Sequence, residues 1–99
     1  MNQPSPVVAD NPAEQRYELR SGQTVLGIAS YHIDGEDAVI FTHTAVNPEE
    51  EGKGYGSRLA RGALDDVRNS KRKVVARCEF IARYIDGHPE YRDMLKQDA

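Results

Sequence analysis

Apolar and polar positions sort this chain into short β segments followed by helices. Tyr17 to Arg20 reads as a short strand ended by the Ser21-Gly22-Gln23 turn, and Thr24 to Ile33 is rich in β-formers. Asp34-Gly35-Glu36-Asp37 then carries the chemistry of a hairpin turn, where glycine and aspartate tolerate a left-handed backbone. Ala38 to Val46, AVIFTHTAV, gives the strongest strand signal. Strict alternation puts Val39, Phe41, His43 and Ala45 on one face and Ile40, Thr42, Thr44 and Val46 on the other.

Helical periodicity takes over near Gly56 and runs to Asn69. Leu59, Ala60, Ala63, Leu64 and Val67 form an apolar stripe, with the arginines largely off it. Gly62 costs about 1 kcal/mol in a helix interior, so its presence predicts close packing against the sheet. Lys73 to Cys78 reads as a short buried strand. A second helix follows, with Phe80, Ile81, Tyr84 and Ile85 facing inward and Gly87 as its cap; Pro89 opens a last helical stretch through Met94 and Leu95. Residues 1 to 13, with Pro4, Pro6 and Pro12 among Asn, Gln and Ser, read as a disordered leader, and residues 14 to 99 as one domain. The element order predicts an α+β fold: a mostly antiparallel sheet with one crossover and helices packed on it.

Composition narrows the function classes. A chain of 99 residues holds one modest core. A net charge of −3 gives no global attraction for nucleic acid or an anionic membrane surface. The distribution is more informative. The segment from Asp34 to Glu51 carries Asp34, Glu36, Asp37, Glu49, Glu50 and Glu51 with no Lys or Arg. The segment from Ser57 to Cys78 carries Arg58, Arg61, Arg68, Lys71, Arg72, Lys73 and Arg77 against Asp65 and Asp66. Such asymmetry suits two partners of opposite sign on different sides of one site. The single Cys78 excludes an intrachain disulfide, and no cysteine cluster points to zinc. No apolar run approaches the ~20 residues of a membrane span, and MNQPSPVVADNP lacks the build of a signal peptide. A cytoplasmic setting is the expectation.

The stretch EEEGKGYGS, residues 49 to 57, sits between the best strand and the first helix. Glycines in such a turn leave backbone N–H groups open at a helix N-terminus, where the helix dipole adds about half a positive charge, so an anion is the expected ligand. The spacing fits neither a Walker loop nor a dinucleotide fingerprint. It resembles the acyl-CoA pyrophosphate loop of the GNAT N-acetyltransferases, Q/R-x-x-G-x-G/A, laid over Glu51-Gly52-Lys53-Gly54-Tyr55-Gly56; the glycines match and the first position departs, with Glu in place of Gln or Arg.

With FTHTAVNPEEEGKGYGSRLARGALDDVR followed by KVVARCEFIARYIDGHPEY, the chain over roughly residues 17 to 95 resembles the small GNAT-like N-acetyltransferases of about a hundred residues. In that branch Glu before the first glycine is an accepted variant. The resemblance implies a truncated GNAT fold that binds acetyl-CoA between two splayed strands, AVIFTHTAV and KVVARC, and passes the acetyl group to an amine acceptor. On it, Glu51, Gly52, Lys53, Gly54, Tyr55, Gly56 and Ser57 hold the pyrophosphate, Val46 pairs with the pantetheine arm, and Arg58 or Arg61 meets the adenosine phosphates. The three glutamates either face solvent or attract a cationic amine.

Cys78 ends a strand just before a helix, a position whose partial positive charge favours a thiolate. By itself a free cysteine is most often a small buried hydrophobe; the resemblance places it near the acyl thioester, as covalent acceptor or pocket lining. His43 on an apolar strand face is more often a core residue, while its place beside the implied acyl-CoA suits a general base for the amine or for Cys78. Tyr84 is a minor candidate for protonating the leaving thiolate. His32 and His88 read as structural or surface. A different class of function, a CoA-binding module without transferase activity, fits the same loop and is favoured by the lack of a full-length fold's last strands.

Overall fold

The computed structural model describes residues 5–35, 37–48 and 52–96. Five strands, β1 (Val7–Asn11), β2 (Arg16–Ser21), β3 (Thr24–Asp34), β4 (Ala38–Val46) and β5 (Lys73–Ala76), form one sheet in the order β1-β2-β3-β4-β5. The first four pair antiparallel, and β5 joins β4 in parallel after a crossover through helix α1 (Tyr55–Asn69). Helix α2 (Glu79–Gly87) and a 3-10 stretch, Pro89–Met94, complete the described chain. This is the expected mostly antiparallel α+β arrangement.

The core lies between the sheet and the helices. The α1 stripe Leu59, Ala60, Ala63, Leu64 and Val67 is buried as its spacing predicts. It packs with Leu19, Phe41, Val74, Ile81 and Ile85, and with the aromatic group Tyr17, Tyr31 and Phe41. Three phenols reach carboxylates on other elements: Tyr17 donates to Asp66 (2.7 Å), Tyr31 to Asp10 (2.6 Å) and Tyr91 to Asp65 (2.7 Å). Burial, reinforced by these acceptors, holds all three phenols well above their ordinary pKa. Asp65 and Asp66 therefore tie α1 to Tyr91 and Tyr17.

Three expectations are corrected. The leader assigned to residues 1 to 13 contains β1, whose register runs from Val7 opposite Arg20 to Asn11 opposite Arg16. Val8 packs on Gly62 so closely that a Cβ there would lie 2.5 Å from Val8 Cγ2. Gly62 thus does mark close helix–sheet packing, and its partner sits in the segment assigned to disorder. The prolines misled because they flank the paired residues: none of them lies within Val7–Asn11. Second, Phe80 is 40% exposed rather than inward. Third, α2 runs through Gly87, and the cap position is taken by His88, which stacks on Tyr84 with ring centroids 3.9 Å apart. The turn residue Glu36 and the acidic triplet Glu49, Glu50 and Glu51 lie outside the described residues.

Two register shifts redirect side chains within the sheet. Leu26 is an extra residue in β3, between Gly27 opposite Leu19 and Val25 opposite Arg20. Thr42 is an extra residue in β4, since Phe41 pairs with Tyr31 while His43 pairs with Ser30. Such a bulge interrupts the two-residue alternation of side chains.

On the sheet face away from the helices, Glu18 is 1% exposed. Arg16 Nε (2.7 Å), Arg20 and Asn11 Nδ2 (3.1 Å) donate to its carboxylate. The bond from Arg16, followed by those from Arg20 and Asn11, outweighs burial and brings its pKa down from 4.5 to about 2. The folded value lies below the unfolded one, so this stabilisation is complete above pH 4.5 and is lost as pH falls toward 2. Glu18→Gln is expected to lower unfolding stability by about 2 kcal/mol at pH 7. The gap between mutant and parent in urea melts should close as pH falls through that window. A gap that stays constant down to acid pH would contradict the ionised clamp.

Candidate active site

The parallel pairing of β4 and β5 runs from Ala38 opposite Lys73 to Phe41 opposite Ala76, and stops there. At that point the Phe41 carbonyl accepts two N–H bonds, from Arg77 and Cys78 (both 3.0 Å), and the chain turns into α2. Cys78 is the residue that caps α2, with extended backbone. The two strands splay because this shared carbonyl ends the ladder while β4 continues through Thr42 to Val46 alongside β3 alone.

A cleft of about 350 Å³ opens in the splay, lined by Thr44, Val46, Gly52, Gly54, Tyr55, Gly56, Ser57 and Phe80. Its floor is the N-terminus of α1. Gly54 occupies the cap position with φ +76°, no side chain caps the helix, and no acid lies in the first turn. Among the described residues no side chain caps the first helical N–H groups, which lie in a field that favours an anion. A Cβ on Gly52 (φ +85°) or Gly54 would meet nothing within 4 Å, so the backbone can be approached closely from outside. Gly56 has a different reason to be glycine. A Cβ there would come within 2.6 Å of Phe80 Cζ, and the phenyl ring forms a wall of the cleft by resting on that position.

Behind the opposite wall, Thr44 Oγ1 lies 3.1 Å from Cys78 Sγ. Thr44 is half-buried and lines the cleft, while the thiol is 7% exposed. One hydroxyl thus joins the cleft to the chain's single cysteine.

His43 stands elsewhere. The extra residue Thr42 reverses the alternation, so Thr44 and Val46 take the cleft side of β4, and His43 and Ala45 are exposed on the other. Strict alternation, which put His43 beside Phe41, fails at this bulge, and the structure does not bring His43 together with Cys78. Of the remaining expected residues, Val46, Gly52, Gly54, Tyr55, Gly56 and Ser57 meet in the cleft. Lys53 lies exposed between Gly52 and Gly54. Glu51 falls outside the described residues. Arg58 donates to the Pro6 carbonyl (3.2 Å), and with Arg61 it lines a groove between β1 and α1 instead of the cleft. Tyr84 is buried in its stack with His88, its phenol raised by burial, and it does not line the cleft. Thr44 and Phe80 are the residues that sequence reasoning undervalued. A small polar residue one position beyond a histidine and an aromatic two positions beyond a cysteine carry no signal until the bulge and the glycine contact are known.

A model of the family described as GCN5-related N-acetyl-transferase matches residues 16–94. The chain belongs to this family. It is similar in fold to the solution structure of a "GCN5-like putative N-acetyltransferase" from Staphylococcus aureus, with a TM-score of 0.69 and 19% identity, covering 94% of this chain and 90% of that one. No curated protein sequence matches significantly. The matched span runs from the start of β2 to the end of the 3-10 stretch, so it takes in the whole cleft and leaves out β1. Among the described residues, no helix is long and apolar enough to cross a membrane.

Proposed function

We propose that this member of the GCN5-related N-acetyltransferases uses acetyl-CoA as donor and an amine as acceptor, with the cleft between β4 and α2 as its donor site. The observation that supports this reading best is the meeting, in one cleft, of an open left-handed glycine turn at an uncapped helix N-terminus and a threonine bonded to a cysteine thiol. The amides of Tyr55, Gly56 and Ser57 hold the pyrophosphate, with Gly52 and Gly54 keeping side chains out of its way. The free edge of β4 near Val46 takes the pantetheine arm, as a strand edge takes a peptide. Phe80 packs against the arm's apolar length. The thioester then lies near Thr44, beside Cys78.

Cys78 receives the acetyl group before the amine does. Thioester exchange between two thiols is close to balanced in free energy, so the covalent step needs positioning more than driving force. The test is titration with CoA and acetyl-CoA by calorimetry, followed by intact mass after incubation with acetyl-CoA. Binding with a gain of one acetyl group on Cys78 is the expected result, and no binding of either ligand would overturn the reading.

A second reading is a CoA-binding module that does not turn over. It is favoured by the short wall beyond β5, where among the described residues only the isolated bridge Val74 to Leu95 extends the sheet. Binding without acetylation of any protein or amine would select it.

In either case backbone amides should dominate the phosphate site. Lys53→Ala is therefore expected to weaken CoA binding by about 1 kcal/mol, roughly fivefold, as an exposed charge contact does. A loss greater than that of a Gly54 substitution would show that side-chain charge carries the binding.

A further inference from the structure

Thr44 lines the cleft and its hydroxyl lies within hydrogen-bonding distance of the Cys78 sulfur, at 3.1 Å. Cys78 itself is 7% exposed, so its proton has little direct contact with solvent. The base expected for it, His43, lies on the other side of β4 beyond the extra residue Thr42. Among the described lining residues there is no histidine and no carboxylate. A hydroxyl has one proton to donate and lone pairs to accept, so it can take a thiol proton on one side while giving its own on the other.

We infer that Thr44 is a catalytic residue of the acyl-transfer step, holding the Cys78 thiol toward the cleft and relaying its proton to the departing thiol of the donor. This rests on the cleft being the acetyl-CoA donor site. The step balances as a thioester exchange. A bond forms between Cys78 Sγ and the acetyl carbonyl carbon, and the bond from that carbon to the CoA sulfur breaks. The thiol proton moves to Thr44 Oγ1, whose own proton goes to the CoA sulfur, and free CoA thiol leaves. No electrons are gained or lost. When an amine later attacks the acetyl carbon and the bond to Sγ breaks, Thr44 serves in reverse, giving its proton to Sγ and taking one from the attacking nitrogen.

Three variants separate this role from simple packing. Thr44→Val keeps the shape and removes the hydroxyl, Thr44→Ser keeps the hydroxyl and removes a methyl, and Cys78→Ala is the blank. Two rates are measured on folded protein of matched melting temperature: alkylation of the apo thiol by iodoacetamide at one fixed pH, and single-turnover acetylation of Cys78 by intact mass. Affinity for CoA is measured alongside. With Thr44→Val, alkylation should slow by about tenfold, as loss of a hydrogen bond to a charged sulfur implies. Acetylation should slow by about a hundredfold, the low end of positioned proton transfer. CoA affinity should stay within twofold, and Thr44→Ser should restore most of both rates. Wild-type rates in Thr44→Val would overturn the inference, as would a Thr44→Ser variant as slow as Thr44→Val. If the parent protein neither binds CoA nor gains acetyl, the donor-site reading fails. The alkylation comparison then still decides whether Thr44 controls the thiol.

Discussion

Cys78→Ala is expected to remove acetyl transfer, by at least about a hundredfold in turnover, while leaving CoA affinity within twofold. The two effects separate because different atoms carry them. In the proposed site the phosphates would meet the N-terminus of α1, whereas the thiol sits behind Thr44 on the far side of the cleft. Parent protein incubated with acetyl-CoA should carry one acetyl group on Cys78, and hydroxylamine should remove it, as it does a thioester and not an amide. Turnover that is reduced but present, with no acetyl-cysteine at any time, would mean direct attack by the amine, with the thiol only lining the site. Full activity in Cys78→Ala would leave the residue as core packing, the ordinary place of a buried cysteine.

The second large effect concerns Gly54. Gly54→Val should lower CoA affinity by about a hundredfold, the loss of two charge-assisted hydrogen bonds at about 1.5 kcal/mol each. A valine Cβ there meets no protein atom within 4 Å, so it would project into the space through which a phosphate must approach. The left-handed backbone at φ +76° adds a cost in folding of about 1–2 kcal/mol. That should lower the melting temperature by roughly 5–15 °C for a domain of this size. Melting and binding must therefore be measured on the same sample, with binding read well below the transition. Gly54→Val that is folded and binds CoA normally would refute the amide cradle. Gly56→Val is a less direct probe, because its side chain collides first with Phe80.

Much of this fold was legible because its signals are local and redundant. Ala38–Val46 shows as a strand and Tyr55–Asn69 as a helix within one residue, each from an apolar pattern at its own period. The glycine turn was legible too, since a strand, three spaced glycines and an amphipathic helix permit few arrangements. What escaped depends on partners distant in the chain. Nothing within Val7–Asn11 tells that Arg16–Ser21 will pair with it, and its short length between prolines resembles a tail. Phe80 fits the inward periodicity of α2, yet the bare backbone of Gly56 draws its ring to the cleft. The pairing of Thr44 with Cys78 was hidden for the sharpest reason. Both faces of AVIFTHTAV are apolar enough to be buried, so the pattern does not reveal where the alternation breaks.

That break makes the site unusually sensitive to the register between β3 and β4. A side chain's place on this strand is set by how many residues separate it from Phe41, and Thr42 contributes one more than β3 opposes. Deleting that residue would only remove the bulge, since Ser30 would still oppose His43 and Tyr31 would still oppose Phe41. One more residue in β3 opposite Thr42 would instead exchange the two sides, turning the imidazole toward the sulfur and the hydroxyl toward water. The strand behaves like a text with a reading frame, in which the same letters, shifted by one, present a different set of groups to the cleft. Substitutions in it adjust the site, whereas a one-residue insertion in the opposing strand at this point would rewrite it.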